Sequence, residues 1–191
     1  MRTMRMSSGL RELVARFGMP GRIDAIVLRP RRLAPAVWAD QAWAEPGFGL
    51  RGDHRSVKSR TGDEARRREL TLLQAEHLSV IAALAGRDRV DARLLRRNLV
   101  ISGVNLAALA SPFPDQRLLW RLGEEVVIEA TGPCAPCSRM EVALGSGGYN
   151  ALRGHGGITA RIVRGGWLRK GDAVTVMDAP AVEETVSRPA T

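Results

Sequence analysis

The protein's only thiols stand three residues apart, in Thr131-Gly-Pro-Cys134-Ala-Pro-Cys137-Ser-Arg-Met-Glu141. A glycine-dense stretch follows, Gly147-Gly-Tyr-Asn-Ala-Leu-Arg153-Gly-His155-Gly-Gly157, with one of the chain's three histidines. Such a loop is poor core material, but it suits a place where backbone must approach a ligand closely. Pro136 can open a helix, residues 138–144 have helical composition, and Gly145 offers a stop. That places Cys137 near a helix N-terminus with Arg139 beside it. Both features favour the thiolate, the form that attacks sulfur or binds a soft metal.

The residues alone leave three other readings of the pair open. A Cys-x-x-Cys dithiol could cycle with a disulfide, although thioredoxin-like motifs follow an early strand in a βαβ unit and this one lies between strand-like runs late in the chain. A zinc site would need four ligands, for which only His54, His77 and His155 could join the cysteines. Two buried, inert thiols are the plainest alternative.

The elements that must position these groups can be read in order. Residues 10–17 keep helical spacing in Leu10, Leu13, Val14 and Phe17. Residues 22–28 read as the first strand. Pro30 opens a long irregular segment to about residue 68 that carries Lys58, Arg60, Arg66, Arg67 and Arg68. A short strand is expected at 69–73, a helix at 74–85, a turn of helix capped by Asp91, a strand at 98–102 and a helical turn at 105–110. Residues 117–122 and 125–130 read as a hairpin about Gly123-Glu124. After the cysteine loop come helical turns at 138–144 and 148–152, a strand at 158–163, a Gly165-Gly166 turn and a last strand at 173–177. About seven short strands with few helices argue for an α+β fold on a closed or partly open β-barrel, not a doubly wound sheet.

The 191 residues fit one domain. The expected divisions are an N-terminal extension at 1–20, a domain at 21–178 and a loose tail at 179–191. The net charge of +9 comes almost wholly from arginine, since Lys58 and Lys170 are the only lysines. That balance suits nucleic acid, a membrane surface or a small anionic ligand, and an arginine-rich proteome would give it as well; nucleic-acid binding is disfavoured because the charge lacks interleaved aromatics. No apolar run approaches the ~18 residues of a membrane span, so a cytoplasmic protein is expected.

Four stretches carry, in order, a resemblance to the MOSC domain, named for the C-terminal domain of molybdenum cofactor sulfurase: Arg96-Arg-Asn98-Leu-Val, Thr131 to Cys137, Arg153-Gly-His-Gly-Gly157, and Gly166-Trp-Leu-Arg-Lys-Gly171-Asp172. Leu50-Arg-Gly52-Asp53-His54-Arg55 is similar to the family's Gly-Asp element. The resemblance spans about Gly21 to Met177. It implies a β-barrel-rich domain in which Cys137 either ligates molybdenum on a molybdopterin-type cofactor or carries sulfur as a persulfide. Arg96, Asn98, Arg153 and Arg161 are nominated to hold the cofactor's phosphate, with the backbone of Gly156 and Gly157. His155 is nominated as a proton donor, with a structural histidine as the equal alternative. Two functions follow. One is a molybdenum-dependent reductase of N-oxygenated substrates fed by an electron-transfer partner. The other is a sulfur carrier loaded by a pyridoxal-phosphate cysteine desulfurase for metal–sulfur cluster assembly. Larger family reductases, such as the mitochondrial amidoxime reducing component, have an additional N-terminal barrel domain for which this length leaves no room, so an open site or an oligomer is expected. Cys134 is extra to a one-cysteine metal site and could resolve a persulfide into a disulfide.

Overall fold

Aliphatic runs of period two build most of the strands, and the computed structural model describes them within residues 9–56 and 68–177. They are β1 (Gly21–Leu28), β2 (Val37–Ala39), β3 (Gln41–Glu45), β4 (Gly49–Leu50), β5 (Leu70–Gln74), β6 (Leu99–Ser102), β7 (Leu119–Leu122), β8 (Val126–Pro133), β9 (Ile158–Arg164), β10 (Gly166–Arg169) and β11 (Ala173–Val176). Seven of them form a barrel in the order β11-β7-β8-β9-β5-β6-β1, closed by β1 on β11. The closing register pairs Gly21 with Val174 and Arg22 with Ala173. Only β5 and β6 run parallel within the barrel; the other neighbours are antiparallel. β2 extends the sheet beyond β1, and β10-β3-β4 form a second small sheet. The expected α+β, barrel-rich fold is the one observed.

Strands β5 and β6 are buried on both faces, and that places the site. Leu70, Leu72, Leu99 and Ile101 fill the barrel with Trp120, Ile128 and Ile162. Leu73 and Val100 instead face an outer layer of Ile81, Leu95, Met140, Leu144 and Leu152. Those residues come from the helix His77–Leu84, the 3-10 turn Ala92–Leu95, the helix Arg139–Leu144 and the loop after the helical turn Gly148–Ala151. Each fully buried aliphatic side chain contributes about 1.5–3 kcal/mol of transfer free energy, so this layer anchors the cysteine segment firmly on the barrel. No helix among the described residues is long and apolar enough to cross a membrane.

Three features differ from the expectations. The segment after Pro30 is not wholly irregular, because it contains β2, β3 and β4. Gly166 is not only a turn residue but begins β10. These strands hide in the sequence because β3 buries Ala42 and Ala44 while its tryptophan stands on the other face, against Trp167 of β10 with ring centroids 5.6 Å apart. Strand β8 also runs on into the cysteine motif, to Pro133. The segment before β1 packs on the barrel: residues 9–13 are helical, and Phe17 meets Trp120 edge-on at 4.5 Å. The readings made of Lys58, Arg60, Arg66, Arg67 and the tail from Asp178 lie outside the described residues.

Candidate functional site

The junction of the 3-10 turn with β6 is where the site begins. Asp91 caps the turn by accepting the Arg93 N–H at 2.9 Å, and Arg96 ends it in the left-handed region, φ 61°. That conformation is unfavourable for a side-chain-bearing residue and marks a locally over-determined position. Its effect is to send two adjacent arginines different ways. Arg97 turns inward, 5% exposed, and donates to Gly156 O at 2.6 Å, Leu95 O at 2.8 Å and Cys134 O at 2.9 Å. Arg96 stays half-buried and faces a cleft.

The cleft has a volume of about 230 Å³ and lies between the start of β6, the turn at 51–56 and the cysteine loop. Arg29, Arg55, Arg68 and Arg96 line it, and among the described residues Asp53 is its only carboxylate. Both cysteines border it, Cys134 buried in the wall and Cys137 exposed. Cys137 immediately precedes the turn into the helix Arg139–Leu144, and its carbonyl accepts the Met140 N–H at 2.9 Å. On the other side, Cys134 is tied to the β9 entry by its N–H to Gly157 O at 2.8 Å.

Asp53, 7% exposed, organises the opposite wall. It accepts the Arg29 N–H at 3.1 Å and the Arg55 N–H at 3.0 Å. His54 Nδ1 lies 3.2 Å from its Oδ1, near enough for an ion pair when the imidazole is protonated but off the line of a hydrogen bond. Asn98 Oδ1 accepts the Thr71 hydroxyl at 2.9 Å, which fixes the amide at the cleft wall.

The electrostatics are one-sided. Burial pushes the Arg29 guanidinium below its usual range, and the like charges of Arg96 and Arg139 push the same way against Asp53 and Cys137. Burial lowers Arg97 as well, opposed by Cys134 and Cys137 and reinforced by Arg68 and Arg96. Crowded guanidiniums with one carboxylate between them favour an incoming anion.

The structure thus brings Arg96, Asn98 and Cys137 to one cleft. The other nominated residues stand elsewhere. Arg153 is exposed and outside the cleft lining. Arg161 pairs across the strands with Glu129, which also holds Arg117 at 2.6 Å. Gly156 and Gly157 sit behind the cysteine loop, where backbone crowds them: a Cβ at Gly157, φ 79°, would come within 1.8 Å of Leu72 O. His155 packs edge-on against His77 with ring centroids 5.1 Å apart, and both Nδ1 atoms are buried without a hydrogen-bond partner among the described residues. Sequence reasoning passed over Arg97, Thr71 and the organising part of Asp53. The signal for Arg97 was its place between Arg96 and Asn98, but nothing in that run says which arginine goes inward.

Comparison with known proteins adds a family and a fold. The model of the MOSC domain family matches residues 56–175. No curated protein matches the chain. Among solved structures, YuaD of Bacillus subtilis superposes with a TM-score of 0.69 at 18% identity, over 85% of this chain and 98% of that one. YiiM of Geobacillus stearothermophilus gives 0.62 at 13% identity, over 83% of this chain and 76% of that one. YiiM of Escherichia coli gives 0.59 at 16% identity, over 83% and 71%. At such identities these likenesses concern the fold, and function must be argued from the site.

Proposed function

We propose, for a chain that belongs to the MOSC domain family, that the arginine-lined cleft holds a molybdenum cofactor through Cys137 and serves the reduction of N-oxygenated substrates. One observation carries this reading: a single exposed thiol opens on a cleft with several guanidiniums and one carboxylate. The donor set fits the group. A thiolate is a soft ligand suited to molybdenum, and guanidinium forks match a pterin phosphate. Arg29, Arg55 and Arg96 would hold the phosphate, and Cys137 the metal. Bound there, the cofactor supplies a two-electron redox centre.

The chain's own part is placement. Arg97 ties the cysteine loop to β6 and to Gly156, so the Cys137 side of the loop is held against the barrel. Asp53 fixes the backbone of Arg29 and Arg55, and Thr71 fixes Asn98. Preorganised cations need little rearrangement when an anion arrives. Electrons would come from a separate electron-transfer protein.

A second reading is favoured by the buried Cys134, which shares the cleft with Cys137. Here Cys137 accepts sulfur as a persulfide from a pyridoxal-phosphate cysteine desulfurase. The Cys134 thiolate attacks Cys137 Sγ, a Cys134–Cys137 disulfide forms, and hydrosulfide leaves with the electron pair of the broken S–S bond. A dithiol reductant then restores both thiols. Metal and pterin analysis of protein from a molybdenum-replete host separates the two. Near-stoichiometric molybdenum, lost in Cys137→Ser, supports the cofactor reading. Absent metal, with sulfane sulfur on Cys137, supports the carrier. Absence of both from wild-type protein refutes the two together.

A further inference from the structure

Beside the Cys137 cleft lies a second hollow, of about 490 Å³, that shares Arg29, Ala36 and Arg96 with it. We propose that this hollow is a subsite for a small amphipathic anion, with its apolar body on Leu33, Leu94 and Val142 and its charged group at Arg139, beside the edge the hollow shares with Arg29 and Arg96 of the cleft. The volume falls in the range of about 300–1,000 Å³ usual for small-molecule sites.

Three independent observations support it. The first is apolar exposure. Leu33 is 63% exposed, Leu94 43% and Val142 88%, over a floor that includes the fully buried Met140. Such residues scattered singly mean little, but here they wall one concavity. The second is charge. Among the described residues four arginines line the hollow and no carboxylate does. Arg93 is already held by Asp91 in an ion pair of 2.5 Å, Arg29 Nε donates to Ala34 O at 3.2 Å, and Arg96 stands at the edge shared with the cleft, which leaves Arg139 for an anion in the hollow. The third is strain. Among the described residues only two non-glycine residues have positive φ, Leu33 at 70° and Arg96 at 61°, and both line this hollow. Left-handed backbone costs a side-chain-bearing residue about 1–2 kcal/mol. Arg96 is the left-handed cap that ends the 3-10 turn, and both positions border the same cavity, where such backbone persists only because the surroundings over-determine it.

The inference rests on the reading that the adjoining cleft takes anions, and it adds a separate, apolar-lined subsite beside it. The occupant is a small molecule, because the apolar side chains line a concavity continuous with the cleft.

The test is a titration of the full chain, labelled with 13C at Leu, Val and Met methyls, with decanoate, decylamine and inorganic phosphate. Decanoate is expected to shift the Leu33, Leu94, Val142 and Met140 methyls saturably, decylamine to leave them in place, and phosphate to shift them far less. Val142→Glu, at an exposed helical position that tolerates it, is expected to weaken decanoate about tenfold or more through loss of apolar contact and charge repulsion. Cys137→Ser is expected to bind decanoate as wild type does, so the subsite is judged apart from the thiol chemistry. Four outcomes overturn it: equal shifts with decylamine, shifts centred on exposed apolar residues elsewhere such as Val163, undiminished binding by Val142→Glu, or loss of binding in Cys137→Ser. Sedimentation with phosphatidylglycerol vesicles without saturable decanoate binding also overturns it, in favour of a membrane-facing patch.

Discussion

Arg97 offers the sharpest test of how the site is held. Its guanidinium is buried and satisfies three backbone carbonyls, on Leu95, Cys134 and Gly156, at 2.8, 2.9 and 2.6 Å. Among the described residues no carboxylate pairs with it. Arg97→Met keeps the aliphatic stem and removes the fork. A hydrogen bond to a charged group contributes about 1.5–3 kcal/mol, and a buried carbonyl left unpaired costs about 1–3 kcal/mol. Three such losses do not add fully, because the loop can relax and admit water, so about 3–5 kcal/mol is expected. For a chain of this size that lowers the melting temperature by about 6–20 °C. The damage should be local as well. Cys134 is 4% exposed and reacts with an alkylating agent only when its loop opens. Weakening the clamp by about 3 kcal/mol raises the open fraction, and hence Cys134 labelling under native conditions, about a hundredfold. Arg97→Lys should recover only part of both effects, since an ammonium cannot span three carbonyls set by a planar fork. A melting shift below about 2 °C with Cys134 labelling within about threefold of wild type would refute the clamp. Full rescue by lysine would show that charge, not the fork, does the holding.

Gly157→Ala should destabilise by about 2–5 kcal/mol in urea unfolding, because it combines a left-handed backbone with a Cβ inside contact distance of Leu72 O. Arg96→Gly should leave stability unchanged or raise it by up to about 1 kcal/mol by relieving the positive φ, while phosphate binding measured by calorimetry falls about tenfold; equal losses in both would mean that Arg96 is structural. Glu129→Gln bears on pH. Burial alone would raise this carboxyl, but hydrogen bonds from Arg117 and Arg161 outweigh it and hold it below its usual range. A depressed carboxyl stabilises the fold above its unfolded value, near pH 4.3, and that contribution is lost as pH falls through the lower folded value. The urea midpoints of wild type and Glu129→Gln should therefore differ at pH 7 and converge at strongly acid pH; a gap that persists there counts against the triad. Cys137→Ser should abolish metal or sulfur loading, whereas Cys134→Ser should retain metal loading and, on the carrier reading, lose hydrosulfide release.

The barrel was legible wherever a strand advertised itself. The first strand, the hairpin about Gly123 and the aliphatic runs of β5, β6 and β9 alternate or run apolar in ways that few other structures explain. β3 and β10 were not, because their pairing joins residues far apart in sequence and buries alanines while tryptophans stand on the outer face. A local pattern carries no trace of that. The site was legible by type and obscure by direction. Cys137, Arg96 and Asn98 meet in one cleft as their motifs imply, but Arg161 looks no different in sequence from a phosphate ligand and stands instead in a cross-strand pair with Glu129. The glycines of the 153–157 stretch were read as ligand-facing backbone. Their contacts with Cys134 O, Arg97 and Leu72 O show that they let the loop close on β5 and on the clamp.

Arg96 and Arg97 show why that direction matters. They are the same residue type, adjacent, at the end of one short turn, and helix-end electrostatics treats them alike. The left-handed backbone at Arg96 separates them. One guanidinium is spent inside, holding the cysteine loop to the barrel; the other is left at the boundary of the cleft and the hollow. Exchange their roles and the cysteine loop loses the fork that pairs its carbonyls while the cleft loses a cation from its edge. The function therefore depends on a backbone angle as much as on any side chain. A glycine at position 96 would adopt that angle more readily and keep the fold, but it would remove the charge that Arg96 brings to the cleft.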